Sequence, residues 1–552
     1  MYLHTLRYAL LSAITLVVTA DEVSDALSAT PTATIASGII IGTTTSVSGP
    51  TGSVAVNKFL GIPFAAAPTG DARFSPPQAP APWTTIETKD FGNSCVQVFA
   101  PLALRPFTEA VFNNPPPKAE SEDCLYINVF APKKAWNASS PPYPVMYWMY
   151  GGAWKFGFAG LPWYDGSHFA GLEDVIIVSV NYRTNVFGLP QAPTITNLTE
   201  RNLAMLDQRF GLQWVQDNIH HFGGDKDRVT IFGQSAGAFA TDALITSYEP
   251  GQPRPFRAGI MESGTYAYLP IGNCNNSDFT AWNALTTTLN CTGDDTAKFN
   301  CIKNDRSAAQ LKNAQENNTA ISFGMACDNI TFVSDPRTRL ETNRTATIPV
   351  ILGSNTLDGS FYSIIFGQDV DAFFATYFAN NATIKAAALA AYPQGSEGRT
   401  DNQTQLAQIY TDYFFHCPAV WYGEASTKFK PTYRYLFNAV FNNTRAMTTQ
   451  WPVQYQGAWH TSEIPIVFST YNESTAEASE ITLSNTMRMA WAGFAKDPSK
   501  APVSGWPVVG GGGEGGADVM SFGTDGKGAF GPVVDKDKCQ VWEDLGFRTQ
   551  HL

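Results

Sequence analysis

The apolar residues of this chain gather in short runs bounded by turn formers. Pro144 to Tyr150, Val175 to Val180, Arg228 to Phe232 and Pro349 to Gly353 are four of these runs. A strand covered on both faces has no polar side to alternate with, so such runs predict interior strands of a parallel sheet. Helix-length segments separate some of them: Leu203 to Ile219 is one, and Ala236 to Thr246 also suits a helix. This alternation predicts an α/β fold with a large, mostly parallel central sheet flanked by helices. No repeat period appears. Pro115 to Pro117 and Gly510 to Gly516 read as surface loops, because apolar segments resume on both sides. A chain of 552 residues suggests three or four domains at roughly 150 residues each. The continuity of the pattern points instead to one domain, residues 21–552, with long excursions.

The first twenty residues differ from the rest. Met1 to Arg7 carries one basic side chain after the start, Tyr8 to Val18 is apolar, and small residues follow at Thr19 and Ala20. The run falls short of the ~20 residues needed to cross a bilayer. Residues 1–20 therefore read as a secretory signal, and the protein is expected outside the cell. The Thr/Ala/Ser-rich stretch around Leu27 to Ser37 reads as the frayed start of the mature chain. Eight cysteines, an even number, suit an oxidising compartment. Charged residues make up 15%, well under the typical ~25%, so something else must hydrate the surface. Asn-x-Ser/Thr triplets at Asn137, Asn197, Asn275, Asn290, Asn317, Asn329, Asn343, Asn381, Asn402, Asn442 and Asn472 offer N-glycans for that role. A net charge of −12 without any Lys/Arg-rich run argues against nucleic-acid partners. No later stretch approaches ~20 uninterrupted apolar residues, so stable membrane insertion is not expected.

Candidate chemistry centres on Phe232-Gly-Gln-Ser-Ala-Gly237. Gly-x-Ser-x-Gly is a weak pattern alone, but here it follows a predicted strand and opens a predicted helix. That is the setting of a nucleophile elbow, where the serine sits on a strained turn and flanking glycines let strand and helix cross. Ser235 is the candidate nucleophile. An activated serine needs a base, and among the histidines beyond it are His416, His460 and His551. His551 is next to last, and His416 adjoins Cys417 and reads as a structural neighbour of a disulfide. His460, in a loop before an apolar segment, is the best base. For the acid, Asp358 lies in the turn leaving the strand run Pro349 to Gly353, with Asp328 and Asp335 as alternatives. An oxyanion hole fits Tyr150-Gly-Gly-Ala-Trp154, where Gly152 and Ala153 would donate backbone N–H groups together with Ala236. His220 and His221, near Asp225 and Asp227, make a poor metal site because adjacent side chains at a helix end point apart. The chemistry requires no cofactor.

These motifs, taken in order, resemble the type-B carboxylesterase/lipase family, the cholinesterase-like branch of the α/β hydrolases, closest in character to secreted fungal carboxylesterases. The resemblance covers nearly all the mature chain. It also rests on Phe59 to Ala65, Ser121 to Asn128, Asn181-Tyr-Arg183, Asp207-Gln-Arg209, Phe222 to Asp225 and Glu262-Ser-Gly264. It implies the α/β-hydrolase fold, selects Asp358 as the acid, and supports His460 and the three oxyanion donors. Family precedent makes Ser263 a support for the acid and pairs Arg73 with Glu122. The resemblance implies disulfides Cys95 with Cys124, Cys291 with Cys301 and Cys417 with Cys539, which leaves Cys274 with Cys327. The chain departs from the family in three places. Asp358 stands where Glu is usual, and Gln234 precedes the serine where cholinesterases carry Glu. The loop before Cys124 also lacks the tryptophan that would stack on a quaternary ammonium, which disfavours choline esters.

The expected function is that of a secreted serine hydrolase cleaving uncharged carboxylic esters through an acyl-serine, with a small-molecule or lipid ester as substrate. A lipase acting at interfaces is the nearest alternative. Val98 to Leu104 and Phe107 to Phe112 are apolar enough for a lid, although a loop packed against the body by those same residues is the simpler reading. An acyltransferase, or a non-catalytic cholinesterase-like binding protein, would use the same fold. The pattern says nothing of oligomeric state.

Overall fold

The computed structural model describes residues 30–49, 52–99, 105–136, 140–269, 274–396, 398–446, 451–511, 517–526, 528–532 and 536–549. The signal segment, Asn137, His551 and most of the glycine run 510–516 lie outside these.

The centre is an eleven-stranded sheet. Seven of its strands run parallel: Ala517–Phe522, Thr432–Phe437, Val350–Asn355, Ala258–Glu262, Gly224–Gln234, Tyr143–Met149 and Ile176–Val180, in that spatial order. Antiparallel strands extend both edges, with Gly528–Pro532 on one side and Tyr126–Pro132, Gly52–Pro63 and Thr43–Gly49 on the other. Every residue of Tyr143–Met149 and Ile176–Val180 is buried. Continuous apolar, β-branched and aromatic composition is therefore what these positions require. Helices Leu203–Asn218, Ala236–Ser247 and Ala478–Lys496 flank the sheet.

A hairpin of Thr32–Ile35 and Gly38–Ile41, with Thr85–Glu87 beside it, forms a separate three-stranded sheet. This corrects the expectation of a frayed stretch up to Ser37. Ala33 and Ile35 alternate with exposed threonines and are buried, so the segment has an apolar face that pairing covers.

Four disulfides form, Cys95–Cys124, Cys274–Cys327, Cys291–Cys301 and Cys417–Cys539. Among the described residues no cysteine is free. Two buried arginines explain other motifs. Arg183 holds Asp207 through both carboxylate oxygens, at 2.8 and 2.7 Å. Arg73 grips Glu122 and also donates to the carbonyls of Lys303 and Arg306 at 2.8 and 2.6 Å, closing the end of helix Asp295–Asn304. No helix of the described residues is long and apolar enough to cross a membrane.

Candidate active site

Parallel strands present all their carboxyl ends on one edge of a sheet, where α/β proteins assemble sites. Gly224–Gln234 ends one residue before Ser235, Ala258–Glu262 one before Ser263, and Val350–Asn355 three before Asp358. Tyr143–Met149 ends at the approach to Gly151 and Gly152. Register aligns these ends, with Gln234 opposite Glu262, Glu262 opposite Gly353 and Met149 opposite Gly233.

Ser235 has φ 54° and ψ −122°, in the left-handed region that side chains avoid. Helix Ala236–Ser247 starts directly after it, so the chain reverses within one residue. Glycine makes this crossing possible: a Cβ at Gly237 would stand 1.9 Å from the Met149 carbonyl oxygen, and one at Gly233 2.6 Å from it. The Ser235 N–H donates to the Glu262 carbonyl at 2.9 Å, tying the elbow to the next strand.

Asp358 is fully buried and receives three donors. His460 Nδ1 lies 2.7 Å from its Oδ1, while Ser263 Oγ and the Asn355 N–H donate to Oδ2 at 3.0 and 2.8 Å. A carboxylate so provided is a rigid charge-assisted anchor, and the shorter aspartate arm reaches the ring. With Nδ1 donating to Asp358, Nε2 is an acceptor, and the Gln234 amide nitrogen sits 3.2 Å from it. Aromatic rings wall the imidazole: Phe415 at 4.7 Å, Tyr362 at 5.5 Å and Phe361 at 6.4 Å between centroids. Burial pushes the pKa of the Tyr362 hydroxyl up.

Ser235 and His460 both line a cavity of about 250 Å³, as do Gly151, Gly152, Ala153 and Gln234. Gly152 has φ 108°, and a Cβ there would meet the Phe156 carbonyl oxygen at 2.2 Å. Ala153 and Trp154 also have positive φ, at 53° and 54°. Ala236 begins the helix beside the serine. Phe112, Leu161, Phe361 and Ile365 give the cavity its apolar wall. The Phe107 to Phe112 segment is the end of a helix, Arg105–Phe112, whose Phe107, Val111 and Phe112 pack with Phe361, Trp451 and Trp459.

The rejected candidates lie elsewhere. Asp328 accepts the N–H groups of Ile330, Thr331 and Phe332, and Asp335 caps helix Pro336–Glu341. His416 is buried, 3.4 Å from Ser354 Oγ. Sequence reasoning missed Asn355, which donates its side-chain N–H groups to the Trp459 carbonyl at 2.7 Å and to Glu463. It thereby ties the acid's strand to the histidine's loop, a link the Leu357–Trp459 bridge repeats. It also missed Glu463 itself, a fully buried carboxyl whose pKa burial drives well above the usual range, with Asp358 and Glu262 adding to the effect. A carboxylate directly before the apolar segment Ile464 to Phe468, three residues past the histidine, was the available signal.

A serine on an elbow, a histidine and a carboxylate at the strand ends of a mostly parallel sheet define an α/β hydrolase. The profile of the carboxylesterase family matches residues 29–542, and the chain belongs to the carboxylesterase family. It is a carboxylic ester hydrolase. It is similar to a para-nitrobenzyl esterase of Bacillus subtilis, at 32% identity over 82% of this chain and 89% of that protein. It is also similar to secreted lipase 5 of Gibberella zeae, at 28% identity over 82% and 84% of the two chains. A chlorogenic acid esterase of Aspergillus niger shares 30% identity over 81% and 80%.

Proposed function

We propose that this protein is a secreted serine esterase, its catalytic domain spanning residues 21–552, that cleaves carboxylic esters through an acyl-enzyme on Ser235. His460 removes the Ser235 proton as the hydroxyl oxygen attacks the ester carbonyl. Asp358 fixes the ring with Nδ1–H toward it and stabilises the imidazolium that forms. The carbonyl oxygen, negative in the tetrahedral intermediate, is received by the N–H groups of Gly152, Ala153 and Ala236. The intermediate collapses as His460 gives its proton to the leaving alcohol. Water then attacks the acyl-serine by the same route and releases the acid. The observation that carries this reading is the linkage of His460 to the fully buried Asp358, with His460 and the strained Ser235 lining one cavity. Paired cysteines and exposed glycosylation triplets support an extracellular setting: among the described residues, eight of the ten triplet asparagines are exposed.

The test is Ser235→Ala. The variant should fold, fail to take up a covalent organophosphate label, and lose about 10³-fold or more of kcat/KM on p-nitrophenyl butyrate. A folded Ser235→Ala protein that hydrolyses this ester near the wild-type rate would overturn the assignment.

A further inference from the structure

A second cavity, of about 220 Å³, shares the lining residue Lys155 with the one that Ser235 borders. Lys155 belongs to the same loop as Gly152 and Ala153. It is the one lysine or arginine in either lining among the described residues, and neither lining contains an acid. Glu316, next in sequence to the cavity residue Gln315, is committed to Arg105 at 2.8 Å. Burial, with no carboxylate to offset it, holds the Lys155 ammonium below the ordinary lysine range.

The rest of the second cavity suits a polar guest. Asn185, Gln315, Thr319 and Ser322 line it. The Asn185 side-chain nitrogen donates to the Val96 and Lys155 carbonyls, at 2.7 and 3.2 Å, while its Oδ1 is buried without a partner among the described residues. A partly buried cation with no carboxylate in the lining around it is costly while no anion lies beside it. An anion that enters the cavity offsets that cost. The other wall of the reacting cavity is apolar and offers such an anion nothing.

We propose that this second cavity is a subsite for an ionised carboxylate at the far end of the substrate, held by Lys155, so that the enzyme prefers esters whose acid or alcohol half bears a second carboxyl group. The inference rests on Ser235 as nucleophile. It narrows the expectation of uncharged esters: the reacting ester group stays neutral, and the charge lies beyond it.

The experiment compares kcat/KM for matched ester pairs on the wild type, Lys155→Met and Lys155→Arg. One arm places the charge on the acyl half, with monoethyl adipate against ethyl hexanoate. The other places it on the alcohol half, with 3-carboxyphenyl butyrate against phenyl butyrate. In at least one arm the charged-to-neutral ratio should fall about tenfold or more in Lys155→Met, through KM, and be largely restored in Lys155→Arg. The arm that responds identifies which half carries the carboxylate. A ratio unchanged in both arms overturns the proposal. On the wild type alone, 3-hydroxybenzoate or adipate should inhibit at least tenfold more tightly than the matching amide, and equal inhibition by acids and amides also overturns it. A wild type inactive on every ester would instead sink the assignment of Ser235, which separates the two failures.

Discussion

At the scale of single residues, the site is a chain of donors converging on one buried carboxylate. Asp358 is oriented by Ser263 and Asn355 as well as by His460. Removing the Ser263 hydroxyl leaves one acceptor lone pair of Asp358 without its donor, in a place water does not reach. Ser263→Ala should therefore lower kcat about tenfold with KM nearly unchanged, and Ser263→Thr should recover part of it; steady-state kinetics on p-nitrophenyl butyrate checks both. An unchanged kcat in Ser263→Ala would remove Ser263 from the positioning scheme. Ser235 and the loop of Gly152 were legible in the sequence because their chemistry demands local motifs. Asp358 was not: a turn aspartate followed by glycine has an ordinary turn-forming explanation, and the family resemblance was needed to select it. Asn355 and Glu463 were illegible because their contact spans 108 residues, and nothing in the local pattern records it.

At the scale of elements, the strands that matter end in register, and turns just beyond them deliver the side chains. The interior strands could be read because burial on both faces enforces continuous apolar runs. Tyr143–Met149 and Ile176–Val180 lie within a residue of their predicted limits. Thr432–Phe437 was harder, since Arg434 interrupts its apolar run, although that arginine is buried. The half-exposed Gly52–Pro63 shows no continuous run. The π-helical turn Thr411–His416, which brings Phe415 against His460, has no period to betray it. The elbow is the element under the tightest steric limit. Gly237→Ala should destabilise the protein by about 3 kcal/mol or more, because its Cβ would overlap the Met149 carbonyl and both partners are backbone. A lower yield of soluble protein and a lower Tm would show it. A variant with wild-type Tm would mean that the strand and helix cross more loosely than this geometry allows.

At the scale of the whole molecule, Asp358 and Glu262 both act on the buried carboxyl of Glu463, raising it further above the usual range. Burial pushes Glu262 up to about 8, although Trp491 donates to it at 3.0 Å. In the unfolded chain the same carboxyl ionises near ~4.3. Between those values the folded protein holds a proton that the unfolded chain has released, so this group costs stability increasingly as pH rises toward 8. Glu262→Gln removes the ionisation and keeps the shape. Its Tm should match wild type near pH 5 and exceed it by roughly 1–3 °C near pH 8, and a difference constant across that range would refute the account. The low content of charge, a puzzle in the composition, sits beside eight exposed glycosylation triplets. One bond, finally, bears on how the chain withstands proteolysis. Cys417–Cys539 closes a loop that contains His460, two parallel strands and the long helix Ala478–Lys496. A single scission anywhere within that loop opens the chain without releasing either piece. His460 would stay covalently tethered to the half of the protein that holds Ser235, leaving a nicked enzyme its whole proposed catalytic set.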